Sequence, residues 1–92
     1  MFSYSVVIPV YKTSMFMDRL TDSIMNASYY TIFDVIFIDD QGNEELKWGK
    51  YINKLKKFNL ISSVTLIKNK KNRGVTFSRN RGYLYSNSEY II

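Results

Sequence analysis

One stretch limits what this chain can fold into more than any other: Asp34-Val35-Ile36-Phe37-Ile38-Asp39-Asp40-Gln41-Gly42-Asn43. An unbroken apolar run, Val35 to Ile38, stops at two adjacent carboxylates, and a turn containing glycine follows. An apolar run rich in β-branched residues, without polar alternation, reads as a strand buried on both faces, the usual state of an interior parallel strand. Asp39 and Asp40 then stand at its carboxyl end, the edge of an open α/β sheet where ligands bind. Successive side chains on a strand point to opposite faces, so one aspartate can serve a ligand while the other anchors a loop. Taken alone, Asp-Asp-Gln-Gly favours a plain strand-end turn, in which Asp caps backbone N–H groups.

The flanking segments repeat the same logic. Tyr4 to Tyr11 predicts a first strand, with Pro9 at its end or at an unpaired position because proline cannot donate to a ladder. The strand is expected to break there and enter a loop. Ser14 offers an N-cap for a helix over 15–26, with Phe16, Leu20, Ile24 and Ala27 as its apolar stripe. Asn43 can cap a second helix, with Glu44 and Glu45 in its first turn and lysines in its last, as the helix dipole favours. Trp48, Ile52, Leu55 and Phe58 form the buried stripe of that helix, and its lysines read as a solvated face. Val64-Thr65-Leu66-Ile67 predicts a short third strand near the sheet edge. The basic loop Lys68 to Gly74 follows, then a helix over 75–86 and a fourth strand starting at Glu89. Gly74 suits a positive φ or a close backbone approach. The alternation β-α-β-α-β-α-β predicts a mostly parallel sheet with helices on both faces.

Composition narrows the chemistry. Ninety-two residues make one small domain, and a hydrophobic share of 46% supports a packed core rather than disorder. Without cysteine or histidine there is no disulfide framework, thiolate chemistry or histidine-based triad. No apolar run approaches the roughly 18–20 residues of a membrane span. The start shows no signal peptide, so a cytoplasmic setting is expected. The net charge of +5 suits an anionic partner.

Taken together, the segments resemble the amino-terminal half of family 2 glycosyltransferases, across essentially the whole chain. Ser5-Val6-Val7-Ile8-Pro9-Val10-Tyr11 is similar to an opening strand of the form Val-Ser-Val-Ile-Ile-Pro-x-Tyr-Asn. Leu20, Ser23 and Ile24 fall where the first helix of the family carries Leu and Ser-Ile-Leu, and Asp34 to Asp40 resembles Glu-Ile-Ile-Val-Val-Asp-Asp. Asn72-x-Gly74, Ser78-Arg79-Asn80-x-Gly82 and Ser88-Glu89-Tyr90-Ile91 resemble Asn-x-Gly-x-x-x-Ala-Arg-Asn-x-Gly followed by Gly-Glu-Tyr-Ile. Two departures stand out: Lys12 replaces the usual Asn after the tyrosine, and Gln41-Gly42 replaces Gly-Ser after the aspartates.

The resemblance implies a three-layer α/β/α Rossmann-like half-domain of GT-A type, with a four-stranded sheet in the order 3-2-1-4. It implies a nucleotide-sugar donor, with a UDP-sugar expected, and a saccharide or lipid-linked acceptor for the intact enzyme. Pro9 and Tyr11 are expected beside the base, Asp40 on a ring N–H of the base, and Asp39 in a loop-fixing role. Asn72 and Gly74 complete the nucleotide site, and Arg79 is expected to reach phosphate oxygens; Asn80 and Gly82 read as packing residues. The divalent metal (Mg or Mn) of such enzymes is held by an Asp-x-Asp that this sequence lacks. The chain is therefore expected to be a truncated domain, with no metal or catalytic residue of its own and inactive alone, and the intact enzyme could work at the inner face of a membrane. An exposed carboxyl-terminal strand would favour a homodimer. A non-catalytic nucleotide-binding module is the first alternative. A basic nucleic-acid-binding domain is the last, for want of a recognised motif or interleaved aromatic residues.

Overall fold

In a computed structural model of the chain, residues 3–12, 14–26, 31–41 and 47–92 are described. Strands β1 (Tyr4–Val10), β2 (Phe33–Asp39), β3 (Ile61–Lys68) and β4 (Tyr90–Ile91) alternate with helices α1 (Met17–Asn26), α2 (Trp48–Lys56) and α3 (Val75–Tyr85). All strand pairings are parallel and the sheet order is β3-β2-β1-β4. This is the Rossmann-like half-domain expected from the sequence.

Strand β2 is the centre of the sheet and is covered on both sides. Phe33, Val35 and Phe37 face α1 and α2 within one apolar cluster that also holds Met17, Ile24, Trp48, Tyr51 and Leu55. Ile36 and Ile38 face the other way, into a smaller cluster with Val7 and Ile67. The period of two along β2 thus feeds two cores at once. Helix α3 covers the second face through its small residues, Ser78 and Gly82, which are its buried positions. A Cβ on Gly82 would lie 2.4 Å from Val7 Cγ1 and 2.7 Å from Ile38 Cδ1, so the helix approaches the sheet as closely as a bare backbone allows. Asn80, expected to pack, is instead exposed.

Strand β1 does not break at Pro9. It runs to Val10, with Pro9 opposite Ile38 of β2. Ser5 O and Val7 N both bond toward Ile92, so the odd-numbered peptides of β1 point to the β4 side. Pro9 shares that parity and lies beyond the paired part of β4, so its missing N–H interrupts no ladder there. Strand β3 is longer than the apolar run Val64–Ile67 suggests. It starts at Ile61, and a register shift opposite Phe33–Asp34 leaves Ser62 as the extra residue of a bulge, its hydroxyl donating to Phe33 O at 3.2 Å. Being an edge strand, β3 carries exposed serines where a central strand would not.

The helices match expectation with two shifts. A 3₁₀ turn over Ser14–Phe16 precedes α1, and Phe16 is exposed while Met17, Thr21 and Ile24 are buried. Thr21 tolerates burial because its hydroxyl donates to Met17 O at 2.9 Å. Helix α2 begins at Trp48 with Lys47 as its N-cap residue and buries Trp48, Tyr51 and Leu55. The expected cap Asn43, with Glu44 and Glu45, lies outside the described residues, as does Ala27. Of the α2 lysines, Lys50 and Lys54 pair with Asp18 and Asp22 of α1 at 3.5 and 2.7 Å, and the others face solvent. No described helix is long and apolar enough to cross a membrane.

Candidate functional site

The carboxyl ends of β1, β2 and β3 converge on one polar arrangement. Asp40 N donates to Val10 O and Asn69 N to Asp39 O, each at 2.9 Å, so the exits of the three strands are tied together by backbone. The Asp40 side chain, on the α3 face, is 3% exposed. Its Oδ1 accepts from Asn69 Nδ2 at 2.7 Å and Arg73 N at 2.8 Å, and its Oδ2 from Gly74 N at 2.8 Å. Asn72 Nδ2 adds a bond to Asp40 O at 3.2 Å. One carboxylate therefore folds the whole turn from Asn69 to Gly74.

Burial alone would raise the Asp40 pKa. The N–H groups of Arg73 and Gly74, the Asn69 amide and the Ser78 hydroxyl outweigh it and hold the carboxyl below its ordinary value. Asp40 is thus an ionised acceptor at neutral pH. Asn69, itself buried, also donates to Ser78 Oγ at 2.9 Å, and its Oδ1 accepts from Arg81 at 2.7 Å.

Asp39 points to the opposite face, as strand alternation requires. Its Oδ1 accepts from Gln41 N at 3.2 Å and its Oδ2 from the Trp48 indole at 3.3 Å. The first contact closes an Asx-type turn from Asp39 to Gln41, and Gln41 has φ 51°. Lys12 has φ 49°. These two left-handed residues stand where the pattern quoted above has Asn and Gly, which adopt that conformation at least cost. Gly74, the N-cap residue of α3, has φ 89°, as its position in the sequence predicts.

Between the ends of β1 and the turn before α3 lies a cavity of about 330 Å³, lined by Pro9, Val10, Tyr11, Asp40, Asn72, Gly74 and Val75. Five of the seven residues expected at the site line it. Tyr11 is 43% exposed, leaving ring surface accessible. Asp39 does not reach the cavity; its bonds are to its own turn and to α2. Arg79 is exposed on α3, one helical turn beyond Val75 and so on the same side. The sequence reading missed Asn69, Ser78 and Arg81. Ser78 could have been found, because it replaces an alanine of the family pattern with a group able to hydrogen bond. Among the described residues no group of three or more His, Cys, Asp or Glu could hold a metal ion.

A larger cavity, about 640 Å³, opens at the opposite edge of the sheet and contains none of the expected residues. The position of the smaller one is the informative fact. It sits at the carboxyl ends of the strands, beside β1, where the chain reverses its direction of travel across the sheet.

No curated protein matches the chain. The family model for glycosyl transferase family 2 matches residues 5–92, nearly the full length. That match and the parallel sheet in the order 3-2-1-4 agree: this chain is a glycosyltransferase domain belonging to glycosyl transferase family 2.

Proposed function

We propose that the cavity between Tyr11 and Gly74 receives the nucleoside of a nucleotide-sugar donor, a UDP-sugar, on its way to transfer to an acceptor hydroxyl. The observation that carries this reading is the convergence of Pro9, Tyr11, Asp40, Asn72 and Gly74 on one cavity at the carboxyl edge of the sheet. A volume of about 330 Å³ is at the small end for ligand sites, which suits a nucleoside better than a whole sugar nucleotide. The Tyr11 ring offers a face for the base, and the ionised Asp40 an acceptor for a ring N–H such as N3–H of uracil. Because Asp40 already holds the turn, a base reaching it shares an oxygen with Gly74 N–H. The first turn of α3 opens on the same cavity through Val75, so its N-terminal dipole favours the diphosphate. Arg79 stands one turn further out, where a planar, permanently charged fork can meet phosphate oxygens.

Metal ions in such enzymes neutralise the leaving diphosphate. What Tyr11, Asp40 and Arg79 contribute is grip on the nucleoside and positive charge near the phosphates. The 92-residue chain is accordingly expected to bind donor weakly, on the order of millimolar, and to release no UDP from it. Amide shifts during a UDP titration test the reading. They should centre on Tyr11, Asn72, Gly74 and Val75, and Tyr11→Ala should weaken binding at least about fivefold, a loss of about 1 kcal/mol. Shifts confined to the Tyr4–Ser86 edge would refute it. A second copy pairing with the edge strand β4, where Tyr90, Ile91 and Ile92 are 48%, 37% and 68% exposed, would compete in such a titration. Sedimentation of the wild type against Ile91→Lys separates the two equilibria.

A further inference from the structure

The turn before α3 has two sides, and its cations are on the side away from the nucleoside cavity. Lys70, Lys71 and Arg73 line a separate cavity of about 440 Å³ together with Asn69, Phe77 and Arg81. The two cavities share no lining residue. Four of the six residues here are cations at neutral pH and none is an acid. Among the described residues, neither Arg73 nor Arg81 forms an ion pair; the two salt bridges found join α1 to α2.

Both guanidinium groups are nevertheless held in place, and by neutral partners. Arg81 Nη1 donates to Lys68 O at 3.1 Å and to Asn69 Oδ1 at 2.7 Å. Asn69 cannot yield, since it is buried and its amide nitrogen is committed to Asp40 and Ser78. The Arg73 guanidinium lies over the Phe77 ring, 4.5 Å from its centroid. Phe77 and Arg81 are four residues apart on α3 and so share a face. Two forks held without an ion-pair partner among the described residues, beside two lysines, give this cavity a positive potential that favours an anion. A guanidinium fork matches the oxygens of a phosphate bidentately, and lysine adds compact charge.

We propose that this cavity is a second anion site, taking a mono- or diphosphate group distinct from that of the sugar donor. It stands whether or not the Tyr11 cavity binds a nucleotide. The phosphate can be that of a soluble compound or of a lipid headgroup, and the test separates them. Inorganic pyrophosphate, titrated into the 92-residue chain and followed by amide and arginine side-chain shifts, should move Lys71, Arg73, Phe77 and Arg81. The double substitution Lys71→Ala/Arg73→Ala should weaken it at least about tenfold, and raising salt should weaken it further. Arg73 holds Asp40 through its backbone N–H, so this variant keeps the turn. Competition by vesicles containing phosphatidylglycerol identifies a headgroup; pyrophosphate binding without competition identifies a soluble phosphate; either result supports the site. Shifts at Tyr11 and Gly74 without shifts at Phe77 and Arg81, or binding indifferent to the double substitution, would overturn it. So would a single-stranded oligonucleotide that binds tenfold more tightly than pyrophosphate and spreads its shifts onto the α2 lysines.

Discussion

The two edges of the sheet carry similar residues and use them differently. At each end of β2 an aspartate on the α3 face meets a serine network. At the carboxyl edge Asp40 is bonded to Asn69, with Ser78 behind it. At the amino edge Asp34 accepts from the Ser5 hydroxyl, which also lies 2.7 Å from both Ser86 Oγ and Ser88 Oγ. Asp40 takes two backbone N–H groups of consecutive residues; Asp34 takes a hydroxyl. A hydroxyl can rotate to suit its partner, whereas a peptide N–H is fixed by the fold of the turn. All the positive-φ residues among those described, Lys12, Gln41 and Gly74, belong to loops at the carboxyl edge. The amino edge closes the sheet with adaptable bonds and ordinary backbone. The carboxyl edge spends strain and a buried charge to hold one loop shape beside a cavity, a combination that concentrates at functional sites.

The comparison breaks first at Asp40. Asp40→Asn puts an NH₂ group against either Gly74 N–H or the pair from Asn69 and Arg73, whichever way the amide turns. A cost of about 3 kcal/mol is expected for losing charge-assisted bonds and stranding a buried donor. In a domain of this size that lowers Tm by at least about 12 °C. The pH dependence follows from the same contacts. Asp40 has a lower pKa folded than unfolded. Its stabilisation is therefore complete above the unfolded value of about 3.9, and is lost as pH falls through the folded value. Urea unfolding at a series of acid pH values should show this loss in the wild type and a flatter slope in Asp40→Asn.

At the amino edge the same operations should do less. Ser5 is fully buried, so Ser5→Ala removes the shared centre of its network, but Asp34, Ser86 and Ser88 are only half-buried and water can replace it. About 1.5 kcal/mol is expected. Asp34→Asn should cost under about 1 kcal/mol, because the Ser5 hydroxyl meets an amide as readily as a carboxylate. If Asp34→Asn matched Asp40→Asn in urea, the distinction between hydroxyl and backbone donors would fail.

How far these differences were legible follows from what a linear sequence records. The apolar run of β2 announced its central place, because burial on both faces leaves no polar alternation. The family pattern carried the order of the sheet and placed Pro9, Tyr11, Asp40, Asn72 and Gly74 near one another. Local rules failed where tertiary partners decide. The missing N–H of Pro9 predicts a strand end, yet Pro9 pairs with Ile38, since its imide faces a stretch where no N–H is needed. Ser62 and Ser63 hid the first half of β3, because a bulged edge strand need not be apolar. The basic loop gave no sign that Lys71 and Arg73 turn away from Asn72 and Gly74. That alternation comes from the bonds of the turn to Asp40.

The finest test uses backbone conformation alone. Lys12 and Gln41 sit at φ 49° and 51°, a region that costs an ordinary L-residue about 1–2 kcal/mol. Gln41→Gly removes that cost but adds about 0.5–1 kcal/mol of chain entropy to be lost on folding, leaving a net gain of about 0.5 kcal/mol. Lys12→Asn should gain a similar amount, since Asn visits this region with a short side chain that bonds locally. At the amino edge the sign reverses. Asn87 has no positive φ, so Asn87→Gly gains nothing in the fold and should lose about 0.5 kcal/mol to entropy. Urea midpoints at constant m-value resolve such differences. Opposite signs at the two edges would place the strain of this domain beside its cavity. An equal sign at Gln41 would mean that its left-handed turn is relaxed, and that Asp39, through its bond to Gln41 N–H, offsets the cost there in full.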